Sequence, residues 1–307
     1  MKKYIQIGMG DYMEWLLLLA VFIWLILFLR KKLSFKFGLS PIALEIKPIK
    51  GLKKLNDHLE QSLSSSYMEN VEERVRKNNR LKENEYEWRL LDLKRYFILT
   101  SLLKESPMFS RKVDELWHEM LMFTREYDDF SKNYLGTTLH HSPNVNVKPD
   151  PDLRGFFDWV YAELFFIRNE NLRLYKGFFK YPVHPNIIGE FKDLPENELI
   201  DMYFKSNSKY MPTVLSLINS MKMTANRVKN YEKNDIRKMM LKNKNQQNYN
   251  AMLVPFLSVS YFQYNEFSSY MKISGNSSSS STSCGSGSSC STCSSGSSCS
   301  SCGGGGD

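Results

Sequence analysis

Residues 1–283 contain no cysteine, so the body of this 307-residue chain has neither a thiol nucleophile nor a disulfide framework. Glycine is scarce outside the last thirty-odd residues, and no glycine-rich phosphate loop can be drawn anywhere in the body. The chain also lacks G-x-S-x-G, H-E-x-x-H and zinc-finger spacing, which removes the common hydrolase, zincin and finger signatures. Apolar residues make up 42%, slightly low for a globular protein, while the 24% charged residues are ordinary. A net charge of +8 invites a nucleic-acid reading, yet the cations do not gather into one patch. They fall at Arg30–Lys32, Lys47 to Lys54, Arg74 to Lys82 and Lys238 to Lys244. That spread argues against nucleic acid as a partner.

What is present begins with one long apolar run. Trp15 to Leu29 (WLLLLAVFIWLILFL) holds no polar residue, and Tyr12 and Met13 extend it past Glu14. A helix over 12–29 just reaches the span of a bilayer core. Arg30, Lys31 and Lys32 follow at once, where a signal peptide would have a small-residue cleavage site. The segment is therefore read as a retained, single-pass transmembrane helix. Lys36, Lys47 and Lys50 add to the cations after it, against Lys2 and Lys3 before it. By the positive-inside rule the body is cytoplasmic at the cell membrane, with residues 1–11 on the other side.

Residues 30–65 read as a juxtamembrane connector. Phe35, Phe37, Leu39, Ile42, Leu44 and Ile46 alternate in extended fashion, and Pro41 and Pro48 exclude a long helix. The soluble domain, 66–274, reads as all-α. A helix is expected from about Tyr67 to Lys104, charge-rich at first and apolar at its end. Ser110 is placed to cap the next, where Val113, Leu116, Trp117, Met120 and Leu121 form one apolar stripe. Thr124 is the expected cap of a further helix ending near Tyr134, with Gly136 just beyond. More helix is expected over 152–176, 195–206 and 211–243, whereas 249–273 suits strand or helix equally. From 275 to 307, Ser, Gly and Cys supply 29 of 33 residues, and nothing apolar besides Cys remains to bury. This tail reads as disordered.

Two segments carry residues with chemistry. In VDELWHEM, Asp114 and His118 lie four apart and share a helix face at the edge of the apolar stripe. A carboxylate one turn from an imidazole can hold its ring for a metal or a proton transfer. His140 and His141 follow after a turn and could return past the same helix, so Asp114, His118, His140 and His141 form a candidate zinc site. The competing view makes Trp117 and His118 packing residues, with His118 bonded to a loop carbonyl. The second segment is the tail, where Cys290, Cys293, Cys299 and Cys302 form two C-x-x-C pairs, with Cys284 ahead of them. Four thiolates could hold one zinc, although nothing around them can pack.

The run VDELWH, with Thr124 and Tyr127 downstream and then HHSP, resembles the motif of the glycine-rich domain-containing protein-like family. Val113, Asp114, Trp117 and His118 are the positions that align, and the likeness is close over about 100–145. The tail departs from the family's pattern in being richer in Ser than in Gly. The resemblance implies a helical domain with a low-complexity tail, and it implies no reaction.

The resulting expectation is a membrane-tethered cytoplasmic helical module that binds as a scaffold. Its partners would be the lipid bilayer and another protein docked on the aromatic stretches Phe156 to Tyr181 and Tyr261 to Tyr270. The alternative is a metal-binding protein or metal-dependent enzyme built on Asp114, His118, His140 and His141, with the tail cysteines as a second metal site. The two differ on one point of geometry: a metal site needs His118 and one of the paired histidines to converge on a cavity.

Overall fold

The computed structural model describes residues 39–41, 43–141, 151–246 and 248–271, together with Leu19, Val21 and Phe22. The transmembrane expectation at 12–29 thus lies outside the described residues, apart from those three, which are helical and exposed. Among the described residues no helix is long and apolar enough to cross a membrane. The tail from 275 onward also lies outside them.

The described body is mostly helical, and among the described residues there is no strand, only isolated bridges at Ile46–Phe165 and Leu103–Phe204. The first four helices are α1 (Leu52–Ser62), α2 (Ser65–Asn78), α3 (Glu85–Leu102) and α4 (Arg111–Leu121). After them come α5 (Thr124–Leu135), α6 (Pro151–Leu164), α7 (Asn169–Leu174), α8 (Pro185–Asp193) and α9 (Glu196–Tyr203). Then α10 (Met211–Ala225), α11 (Lys233–Gln246), α12 (Leu253–Phe262) and α13 (Phe267–Met271) complete the order.

Helix α3 sits at the centre. Leu93, Phe97, Ile98, Leu99 and Leu102 are fully or almost fully buried on its several faces, as in a helix enclosed all round. It packs against α4 on one side, α1 on another and α7 on a third. Enclosure forces its charged residues to find internal partners. Arg95 donates from Nε and Nη2 to the Leu44 carbonyl (3.0 and 2.7 Å) and from Nη1 to Tyr161 Oη (2.7 Å) and the Phe166 carbonyl (3.1 Å). Asp92 accepts from Tyr161 Oη and from Asn171 Nδ2, at 2.5 and 2.9 Å. Burial holds the Asp92 carboxyl above the usual carboxylate range, against the pull of Arg95. These bonds tie the 44–46 segment, α6 and α7 to one helix.

Several expected boundaries are corrected. The long helix over Tyr67–Lys104 is two helices, because Asn79 leaves helical geometry and Asn84 turns through a left-handed conformation (φ 58°). The connector does not run to residue 65 without structure: α1 buries Leu52, Leu55 and Leu59 completely. The helix over 152–176 is broken after Leu164, where Phe165 bridges to Ile46 and Asn171 Oδ1 accepts from the Arg168 amide to start α7. The stretch 211–243 divides into α10 and α11, and the described part of 249–273, residues 249–271, is helix with short 3-10 turns. Ser110 caps α4 as expected, accepting from the Val113 amide, and Gly136 ends α5 at φ 82°. Thr124 is the first residue of α5 rather than its cap; Phe123 occupies that position without a side-chain bond. Gly155 is where α6 meets the chain after α7: a Cβ there would lie 2.0 Å from the Pro182 carbonyl oxygen.

Candidate metal centre beside helix α4

Helix α4 turns three faces to three surroundings. Val113, Leu116, Trp117 and Met120 enter the core, and Arg111, Lys112 and Glu115 face one cavity. Asp114 and His118, one turn apart, face another. After α5 the chain returns along this last face. Trp117 Nε1 donates to Tyr127 Oη (3.0 Å), which donates to the Leu139 carbonyl (2.7 Å). Burial pushes the Tyr127 hydroxyl up to about 12, opposed by the Trp117 bond, so the phenol keeps the proton it donates. Residues 139–141 are thereby fixed against α4.

The result brings His141 to Asp114 and His118. His141 Nε2 lies 2.8 Å from Asp114 Oδ1 and 3.2 Å from His118 Nε2, and His118 Nε2 lies 3.7 Å from Asp114 Oδ2. One ligand atom from each residue falls within 4.8 Å of the others. A tetrahedral zinc with bonds of about 2.0–2.1 Å separates its ligand atoms by about 3.3 Å, close to these spacings. Two imidazole nitrogens and a carboxylate oxygen therefore sit where one ion can reach all three. The rings are ordered by packing: His141 stands edge-on to Trp117 at 4.4 Å and to His118 at 4.6 Å.

The cluster opens on a cavity of about 700 Å³. Its far wall carries Tyr96, Thr100, Lys104 and Lys205. Tyr96 Oη donates to the Ser106 carbonyl at 2.6 Å, and burial raises its pKa above the ordinary phenol value. Lys104 Nζ donates to the Asp201 carbonyl. Burial lowers the pKa of Lys205, and its ammonium has no hydrogen-bond partner among the described residues.

Of the expected ligands, Asp114, His118 and His141 converge, while His140 lines the cavity, is exposed, and stands outside the three-residue cluster. Cys290, Cys293, Cys299 and Cys302 lie outside the described residues. The two remaining histidines do other work. His58 Nδ1 is 2.7 Å from Tyr210 Oη, and His184 caps α8 by accepting from the Asn186 amide. Sequence reasoning did not find Tyr127 as the residue that fixes the returning chain. Its signal was the spacing of a tyrosine ten residues after Trp117, too long for a local contact and so unreadable without the turn.

Of the two aromatic stretches expected as a docking surface, Phe156 to Tyr181 is largely interior, whereas between Tyr261 and Tyr270 only Phe267 is buried among the aromatic residues and Phe262 is exposed. Phe157, Trp159, Tyr161, Phe165, Tyr175 and Phe178 are all buried, and among the aromatic residues between 156 and 181 only Phe166 and Tyr181 are exposed.

A family model described as UCP032817-like matches residues 57–156, from α1 into the start of α6. This corrects the expected kinship, because the matching family is not the glycine-rich domain-containing one. The matched region holds Asp114, His118, His140 and His141, and its description names no activity. No curated protein matches the chain, and no solved structure does.

Proposed function

We propose that the helical body binds a divalent transition metal, zinc being the best fit, through Asp114, His118 and His141. We place it on the cytoplasmic side of a membrane that residues 12–29 span. The observation that carries the metal reading is the convergence of two imidazoles and a carboxylate on one point at the mouth of a cavity. Imidazole and carboxylate donors suit zinc, and three protein ligands leave a fourth position open toward the cavity. An ion with an open position lowers the pKa of bound water to about 7, which is the chemistry such a site supplies for hydrolysis. The membrane reading rests on the unbroken apolar run of 15–29 and the three cations after it. Metal binding is favoured over a pure scaffold role because it uses the convergence, whereas most aromatic side chains of the longer stretch a scaffold would offer, Phe156 to Tyr181, are inside the core.

The test uses full-length protein in detergent with all five tail cysteines replaced by serine, dialysed against zinc and analysed for metal content. One zinc per chain is expected, falling at least tenfold in occupancy at limiting zinc when His118→Ala is added. His118 is exposed, so this variant should keep the fold, which circular dichroism checks. No bound zinc in the cysteine-free protein, or zinc unaffected by His118→Ala, overturns the site.

A further inference from the structure

The other cavity beside α4 has about 620 Å³ and a different character. Six cations line it: Arg111 and Lys112 from the first turn of α4, Arg154 from α6, and Arg173, Lys176 and Lys180 from α7 and the turn after it. Glu115 is the only acidic residue among those lining it, and it already accepts from Arg89 (3.3 Å) and Arg111 (3.1 Å). Cations in a helix's first turn run against the preference set by its dipole, so local helix stability does not account for Arg111 and Lys112.

Arg154 is a fixed element of this cavity. Its Nε donates to Asp158 Oδ1 at 2.8 Å, and its Nη2 donates to the carbonyls of Gly177 (2.7 Å) and Tyr175 (3.3 Å). Its guanidinium lies 5.1 Å from the Phe109 ring centre and 5.7 Å from that of Phe178. None of these bonds involves Nη1. The guanidinium is thus ordered before any ligand arrives, which lowers the entropic cost of binding.

The turn beyond α7 holds the remaining cations over it. Lys176 (φ 57°), Gly177 (φ 102°) and Phe179 (φ 59°) are all left-handed, a costly conformation for the two that are not glycine. Arg154 binds the Gly177 carbonyl and Asp158 Oδ2 accepts the Phe179 amide at 2.7 Å, so the buried pair maintains the strained turn. Lys176 has no ion pair among the described residues, and Lys180 Nζ has only the Lys176 carbonyl. The cavity is large enough for a small molecule, since ligand pockets run to about 300–1,000 Å³.

We infer that this cavity binds a ligand carrying a multiply charged phosphate group, through Arg154 as a fixed donor, with Arg173, Lys176 and Lys180 supplying further positive charge around it. Guanidinium geometry matches phosphate oxygens in bidentate fashion, and lysines add charge without direction. The group can belong to a soluble phosphorylated molecule or to a lipid headgroup. The inference uses none of the metal ligands and stands apart from the proposed zinc site.

The experiment titrates pyrophosphate into full-length protein in phosphatidylcholine nanodiscs, with EDTA present so that no metal contributes. Saturable binding is expected by calorimetry, weakened at least tenfold in the triple variant Arg173→Gln, Lys176→Gln, Lys180→Gln. All three side chains are exposed, so the fold should survive. A control variant, Lys53→Gln, Lys77→Gln, Lys238→Gln, removes the same charge from exposed positions elsewhere and should bind as the parent does. Repeating the titration with phosphatidylinositol bisphosphate in the discs separates the two sources. A tenfold weaker apparent affinity means the headgroup occupies the cavity, and an unchanged one means the ligand is soluble. No saturable binding, binding that survives the triple variant, or equal loss in the control overturns the inference.

Discussion

The two cavities on either side of α4 differ in how their polar groups are held. On the Asp114 side the ligand atoms are close to one another and the surrounding order comes from packing, with Trp117 against His141 and Tyr127 fixing residues 139–141. Among the described residues neither imidazole Nδ1 has a hydrogen-bond partner, so no outer shell of carbonyls orients the rings. On the Arg111 side the cations are spread around the cavity wall. Their order comes from ion pairs and backbone carbonyls, Arg154 with Asp158 and Gly177, and Lys112 with Glu85 at 2.5 Å. A compact set of borderline donors suits a small cation, and positive charge spread around one held guanidinium suits an extended anion. One short helix thus presents two electrostatically opposite faces, separated by a buried stripe.

The largest expected effect lies on the cationic side. Replacing Arg154 with Met leaves Asp158, which is fully buried, without its charged partner, a loss of about 3–5 kcal/mol by the usual cost of breaking a buried pair. The cost should depend on pH in a defined direction. Burial already raises the Asp158 carboxyl to about 6, opposed by Arg154, and removing the guanidinium raises it further. A folded-state pKa above the unfolded value means the folded protein binds protons more readily. Stability is then greatest at acid pH and is lost as pH rises through the folded pKa. Urea unfolding should therefore show Arg154→Met closer to the parent at pH 5 than at pH 7.5. Adding Asp158→Asn should recover most of the stability without recovering pyrophosphate binding. A cost under about 1 kcal/mol at every pH would remove Arg154 from the role of fixed floor.

The contrast between the two sides also explains what could be read from the sequence. Asp114 and His118 were visible because helical periodicity converts a spacing of four into a shared face, and Ser110 marks where that helix begins. His141 was visible only as a member of a pair; which of the two histidines turns inward depends on the anchoring of Leu139 by Tyr127. The cationic cavity was not visible, because its residues come from three segments separated by up to seventy positions, and Lys176 and Lys180 are placed by left-handed backbone at non-glycine residues. The all-α class followed from periodicity, but the breaks in it did not. Asn79–Asn84 holds no proline or glycine, and the division there lets α2 and α3 both pack against α4, with α3 also against α1. The kinship was misjudged because four aligned residues of one helix, Val113, Asp114, Trp117 and His118, make too short a pattern to separate one family from another.

A smaller effect should divide the two cavities cleanly. Tyr127→Phe removes the hydroxyl that accepts from Trp117 Nε1 and donates to the Leu139 carbonyl. Leaving these groups without partners should cost about 1–3 kcal/mol of stability. Because residues 139–141 lose their anchor, zinc affinity should also fall, by roughly 10-fold or more, the range seen when groups that orient metal ligands are removed. Pyrophosphate affinity should not change, since Tyr127 touches nothing on the Arg111 side. Competition with a zinc chelator and calorimetry on the same preparation measure both. A parallel drop in the two affinities would mean that α4 itself has shifted, and the sites would then be one coupled unit rather than two.

The smallest effect sets one histidine against the others. His58, on α1, faces Tyr210 rather than either cavity on α4, and burial, then the nearby Lys209 charge, lowers its pKa below the ordinary 6.5. A lowered folded-state value means the unfolded chain takes up protons more readily. The contribution to stability is therefore present above about 6.5 and is lost as pH falls through that region. The proposed zinc would add a separate acid-sensitive contribution, because metal affinity falls with pH and with it the stabilisation the ion would supply. With zinc present, acidification from pH 7.5 to 5.5 should lower the urea midpoint through both routes. With EDTA the His58 loss should remain, smaller than the cost of Tyr127→Phe and set against the opposite contribution of Asp158, and His58→Gln should remove that loss. If EDTA leaves the acid sensitivity of the parent unchanged, no metal contributes to its fold, and His58 alone accounts for the histidine-range loss.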